Sequence, residues 1–195
     1  MRPLDGQLEL KVMAAPGPIP AAADVVPIFH QWIEKRRLES EILIDVADYS
    51  HVHQGPGVVL VGHERSYSLG HGQGGFGLTC RQKHSAAKGT ASLRRLFQAA
   101  LTACRLLEEE PGARGLKFST ADIRLRVLDR LRAPGGRETA SGVMPELDPF
   151  LRELYAGASR IRVRVLPKSK EPFEVRVEIE GAPAIEALAS RLASE

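Results

Sequence analysis

The sequence predicts an α+β protein, a mostly antiparallel sheet with helices on one face. Three observations carry this. Several segments alternate apolar and charged residues with period two, RIRVRVL and EVRVEIE most strictly. Two others repeat apolar residues at helical spacing, around Phe29 and Phe97. The elements run β-α-β-β-(β)-α and then β-α-β-β-α, an order that suits ferredoxin-like β-α-β-β-α units, as a tandem pair or as one unit with an appended piece. The chain then divides into residues 1–112 and 113–195, packed together or continuous as one domain.

LELKVMAA reads as the first strand, and PGPIP breaks it. In ADVVPIFHQWIEKRRL the residues Val25, Ile28, Phe29, Trp32 and Ile33 lie on one helical face. Asp24 is the expected N-cap, and Pro27 falls in the first turn. EILIDVADYSHVH and VVLVGH read as a hairpin closed by QGPG. Alternation puts Ile44, Val46 and Asp48 toward the core, and Asp45, Ala47, Tyr49, His51 and His53 on the outer face beside Val58 and Leu60. SYSLGHGQGG is a glycine-rich connection, and FGLTCRQK a short strand.

From Thr90 to Glu110 the positions Leu93, Leu96, Phe97, Ala100, Leu101, Cys104 and Leu107 predict a long helix, stopped by Pro111 and Gly112. LKFSTADIRLRVLDRL is a strand with one wet face, and RAPGGRETASGV a mobile connection. Asp148 and Pro149 open a short helix carrying Phe150, Leu151 and Leu154. Two alternating strands follow, and Pro183 opens a last helix buried through Ile185, Leu188 and Leu192.

The formal charge is +3 with 26% charged residues, so attraction to anions is allowed but no basic arm or tail is present. Two cysteines far apart, without C-x-x-C spacing, exclude a disulfide scaffold and a zinc ribbon. With no signal-peptide run and no membrane-length apolar stretch, a cytoplasmic setting without membrane contact is expected.

Residues 48–77 concentrate the candidate chemistry. His51 and His53, two apart on one strand, would stand about 6.6 Å apart at the backbone, a spacing two metal ligands can adopt. Two ligands do not make a site, and no metal or cofactor is assigned. The expected hairpin register sets His63 opposite Asp48, and a carboxylate beside an imidazole is the start of an acid/base pair. Gly70-His71-Gly72-Gln73-Gly74-Gly75 satisfies G-x-G-x-x-G, but a strand follows the glycines where a dinucleotide fold needs a helix. The surviving reading is an anion-holding loop, with Arg65, His71, Gly72 and Arg81 as ligand contacts. The arginines at 124, 126, 160, 162 and 164 alternate with glutamates and lack exposed aromatics, which disfavours nucleic-acid binding.

The function expected is therefore a binding or interaction module, using the outer sheet face (Tyr49, His51, His53) and the glycine loop. A small anionic ligand or a second copy of the chain is the expected partner. The alternative is a small enzyme acting through His63 and Asp48, or through a metal on His51 and His53.

Overall fold

The computed structural model of the chain describes residues 2–72, 74–131, 133–134, 136–166 and 171–193. Among them lie eight strands, β1 (Leu8–Ala14), β2 (Leu43–Asp48), β3 (Val58–Gly62), β4 (Arg65–Gly70), β5 (Gly77–Gln82), β6 (Phe118–Val127), β7 (Arg160–Leu166) and β8 (Phe173–Glu180). Four α-helices accompany them, α1 (Ala22–Glu34), α2 (Gly89–Glu109), α3 (Gly136–Leu154) and α4 (Ile185–Ala193). The strands form one antiparallel sheet in the order β2-β3-β4-β5-β1-β6-β8-β7.

Alternation decides which sheet face is buried. Leu8, Leu10 and Val12 of β1, Ile123 and Leu125 of β6, and Val175 and Val177 of β8 join the apolar stripes of the helices in one core. Trp32 and Phe97 are buried at its centre, and the Trp32 indole N–H donates to Glu110 Oε1 at 2.8 Å, which satisfies the ring's polar edge. On the same side Arg65 and Glu41 form an ion pair of 3.2 Å with both side chains almost wholly buried. Glu41 also accepts the Glu64 amide at 2.8 Å, so no lone charge is stranded there.

The structure corrects several expectations. Asp24 is the third residue of α1 and not its N-cap; its carboxylate reaches back to accept the Ala21 N–H at 3.1 Å. Pro27 consequently lies inside the helix. Arg65–Gly70, assigned above to a glycine-rich connection, is strand β4, with Tyr67 and Leu69 in the core. The connection expected at 132–143 is largely helical: α3 runs from Gly136 through Pro145 and Pro149, while Arg132 and Gly135 lie outside the described residues. Each proline removes a backbone donor, yet Thr139, Val143, Leu147, Phe150, Leu151 and Leu154 are buried along one stripe, and that packing outweighs the lost bonds.

The hairpin register is the correction that matters most for the site. β2 ends at Asp48, whose Oδ1 accepts the Ser50 amide at 2.8 Å in an Asx turn. Asp48 therefore stands opposite Val58, not His63. The segment between them is a nine-residue loop, closed where the Tyr49 N–H donates to Gly57 O at 2.9 Å. Val58 and Leu60 are buried in the core, and Val59 and Val61 take the outer face.

Candidate functional site

With helices on one side, the other sheet face carries polar rows that the register makes explicit. One row crosses the sheet as Ser68, Thr79, Lys11, Arg124 and Arg176, each directly opposite the next. The adjoining row runs Ser66, Arg81, Glu9, Arg126 and Glu174. The first row is cationic at its centre, where Lys11 faces Arg124 and Arg124 faces Arg176. Like charges directly opposite each other on neighbouring strands destabilise a sheet, so something must compensate.

Part of the compensation comes from the second row. Arg124 Nη1 lies 3.3 Å from Glu174 Oε1, and Arg126 Nη1 lies 2.8 Å from Glu9 Oε1. Arg81 pairs with Glu9 at 3.3 Å, and Arg176 holds Asp122 through two nitrogens at 3.0 and 2.7 Å. Lys11 is held differently. Its ammonium donates to the backbone carbonyls of Gly75 at 2.7 Å and His71 at 3.3 Å. The glycine loop is thereby tied down onto the sheet, and Lys11 is left 7% exposed.

Burial, and then the positive charge of Arg124, lower the Lys11 pKa from its usual range to about 8, against the smaller pull of Glu9 and Glu174. The ammonium is thus kept at a cost, next to a guanidinium that is itself sheltered. The Nε–H groups of Arg124 and Arg126 are buried and meet no hydrogen-bond acceptor among the described residues. Around these side chains lies a hollow of about 310 Å³, floored by Lys11, Arg124, Arg126, Ser68 and Thr79 together with the carboxylates of Glu9 and Glu174, and rimmed by Gln54–Pro56, Gly70 and Gly72. Three cations stand against two carboxylates there, so the floor keeps one net positive charge, which suits a small anion.

Glycines let the rim close. Gly57 has φ +79, and a Cβ there would stand 2.7 Å from Gly70 Cα and still closer to Leu69 O. A Cβ on Gly70 would meet Gly57 Cα at 2.8 Å and press harder on Pro56 O. The two backbones touch, and no other residue fits. Gly74 lies directly against the Arg124 guanidinium, so the loop covers that cation as well as Lys11.

The residues singled out from sequence do not come together in one site. Asp48 and His63 stand at opposite ends of the β2–β3 hairpin, roughly 16 Å apart for five strand residues, so the structure does not bring them together. Asp48 is exposed; Ser50's hydroxyl and amide hold its carboxyl below the usual range, and its imidazole neighbour is His51. His63 instead lines a broad hollow with Asp5, Lys83 and His84 at the far end of the sheet. His51 and His53 lie in the turn, not on a strand face; both are exposed, and His53 lines a pocket with Tyr49 and His71. Among the described residues no three His, Cys, Asp or Glu side chains gather closely enough to hold a metal ion.

Arg65 is turned away from the glycine loop into its buried pair with Glu41, and Arg81 sits half-exposed on the polar row beside Glu9. Gly72 does border the charged hollow, and Gln73 lies outside the described residues. Lys11, Glu9, Ser68 and Thr79 escaped the sequence reading. Alternation through Leu8, Leu10 and Val12 puts Lys11 on the wet face, but only the strand order sets β1 between β5 and β6. Arg162 and Arg164 of β7 are engaged, with Glu180 at 3.1 Å and Glu178 at 3.3 Å.

Both cysteines are buried, and burial pushes the Cys80 thiol up to about 12, so it is unreactive at neutral pH. No helix among the described residues is long and apolar enough to cross a membrane. Comparison of the sequence with protein-family models and with curated proteins finds no match.

Proposed function

We propose that the chain is a binding module for a small anionic molecule, held on the open sheet face under the glycine loop by Lys11 and Arg124, with Arg126, Ser68 and Thr79 beside them. One observation carries this reading: two sheltered cations face each other across β1 and β6, and among the described residues the Lys11 ammonium donates only to backbone carbonyls. Arg124 already has Glu174 at 3.3 Å, so an anion would chiefly add countercharge at the Lys11 ammonium, with charge-assisted hydrogen bonds to both cations.

The test uses sulfate, which keeps one charge state from pH 6.5 to 9.5. Lys11 is charged below about 8 and neutral above it. Sulfate affinity by titration calorimetry is therefore expected to fall about tenfold or more between pH 7 and 9.5. An affinity unchanged across that range, or no sulfate binding at low salt, overturns the reading.

Two further proposals concern assembly. We infer that residues 1–112 and 113–195 are tandem ferredoxin-like β-α-β-β-α units set side by side in one sheet, the first with two additional strands. Supporting this, β6-β8-β7 repeats the order of β1 with the strands that follow it, and β1 and β6 pair across the centre. The second proposal is a homodimer through the outer surface of the first unit, supported by the exposed Ile44, Tyr49 and Val52. Light scattering on a sizing column is expected to give twice the chain mass for the wild type and the chain mass for Ile44→Lys; a wild-type monomer overturns the dimer. A cytoplasmic setting, proposed from the two free buried thiols, is checked by cell fractionation.

A further inference from the structure

The anion hollow has a neighbour of different chemistry. Across the Gln54–Gly57 turn, on the helix side of the same sheet end, lies a pocket of about 320 Å³. Its walls are apolar, built from Ile19, Ala22, Val25, Leu69 and Phe76, and Val25 and Leu69 belong to the core. The polar rim holds Tyr49, His53 and His71, and the His71 ring rests edge-on against Phe76 with centroids 5.2 Å apart. Gln54, Gly55 and Gly70 border both compartments.

The partition is thin. Gly55, Gly57 and Gly70 contribute only backbone at that point, and Gln54, held at φ +57, borders both sides. A non-glycine residue in the left-handed region costs about 1 kcal/mol, and such a cost is commonly carried where a side chain must face a ligand. The glycine loop joins the two sides: His71 faces the apolar pocket, and the carbonyls of His71 and Gly75 bind Lys11 in the charged hollow.

Resting on the anion reading above, we propose that the ligand is an organic carboxylate with an aryl group. Its carboxylate sits between Lys11 and Arg124, and its ring passes the Gln54–Gly57 turn into the apolar pocket. The size is suitable, since a dry apolar cavity of about 150 Å³ holds one benzene ring, and the adjoining pocket has room for two fused rings. The rim of Tyr49, His53 and His71 favours a flat aromatic group over a branched aliphatic one, because ring edges and faces pack offset or edge-on.

The probes are acetate and 1-naphthoate, titrated calorimetrically at pH 7 into the full-length protein, Arg124→Gln, Ala22→Phe and Ile19→Trp. The wild type is expected to bind naphthoate at least about tenfold more tightly than acetate. Arg124→Gln weakens both, whereas Ala22→Phe and Ile19→Trp remove the naphthoate advantage and leave acetate unchanged. Ile19 is half-exposed, so its replacement keeps the test usable if Ala22→Phe disturbs folding. Acetate bound with no naphthoate advantage overturns the apolar compartment alone. No binding of either ligand overturns the anion site as well. Naphthoate affinity insensitive to Arg124→Gln, or an advantage that survives both filling variants, overturns the bipartite arrangement.

Discussion

Arg124→Gln is expected to weaken sulfate binding at pH 7 about a hundredfold, close to 2.7 kcal/mol. The size follows from what the guanidinium contributes. It is always charged and planar, and it is sheltered at 16% exposure, where charge-assisted bonds are about twice as strong as neutral ones. Gln keeps polarity but is shorter and removes the charge. Arg124→Lys restores charge without the fork and should lose about tenfold. The fold should tolerate either change, since Glu174 also faces Arg126, with Nε at 3.9 Å from Oε2. Calorimetry with a parallel melting curve separates lost binding from lost folding. A Gln variant that melts normally and binds sulfate as well as the wild type removes Arg124 from the site.

Gly57→Ala is expected to destabilise the protein by about 3 kcal/mol or more, seen as a lower urea midpoint with unchanged slope. Two causes add. A left-handed φ of +79 disfavours any Cβ by roughly 1 kcal/mol. The new methyl would also overlap Leu69 O and Gly70 Cα, which are strand backbone and have no softer neighbour to displace. Where the variant still folds, the rim above Lys11 is displaced and sulfate affinity falls with it. Gly115→Ala is a fair control: φ is +80 there, but nothing lies within 4 Å of the added carbon, so only the conformational cost of about 1 kcal/mol applies. Equal losses at the two positions would show that backbone contact at the rim plays no part.

Much of the architecture was legible because period and burial coincide. Leu8, Leu10 and Val12, then Ile123, Leu125 and Val127, then Val175, Val177 and Ile179 announce half-buried strands, and each of these residues is buried. The stripe of α2 is equally plain. Two elements were obscured by local chemistry. Tyr67 and Leu69 alternate with Ser66 and Ser68, but the glycines after them mask β4. Pro145 and Pro149 hide α3, although Val143, Leu147, Phe150, Leu151 and Leu154 already carry helical spacing; tertiary packing overrides the breaker.

The site was less legible because it depends on long-range order. The glycine loop and an anionic ligand were readable expectations, yet the cations nearest the loop are Lys11 and Arg124, some sixty and fifty residues from it in sequence, not Arg65 and Arg81. Nothing local sets β1 beside β6. A single Asx turn at Asp48 also shifts the hairpin: it ends the strand early, separates Asp48 from His63, and turns the His51–His53 pair from a strand face into a loop.

The central claim is that Lys11 and Arg124 wait for an anion. The most direct measurement is the Lys11 side-chain titration followed by NMR on selectively labelled protein, without and with saturating sulfate. In the free protein the ammonium is expected to titrate near 8, and sulfate to raise that midpoint by at least about one unit, because the anion favours the charged form. A Lys11 that titrates at the ordinary lysine value, or one whose midpoint sulfate leaves unmoved, would contradict it.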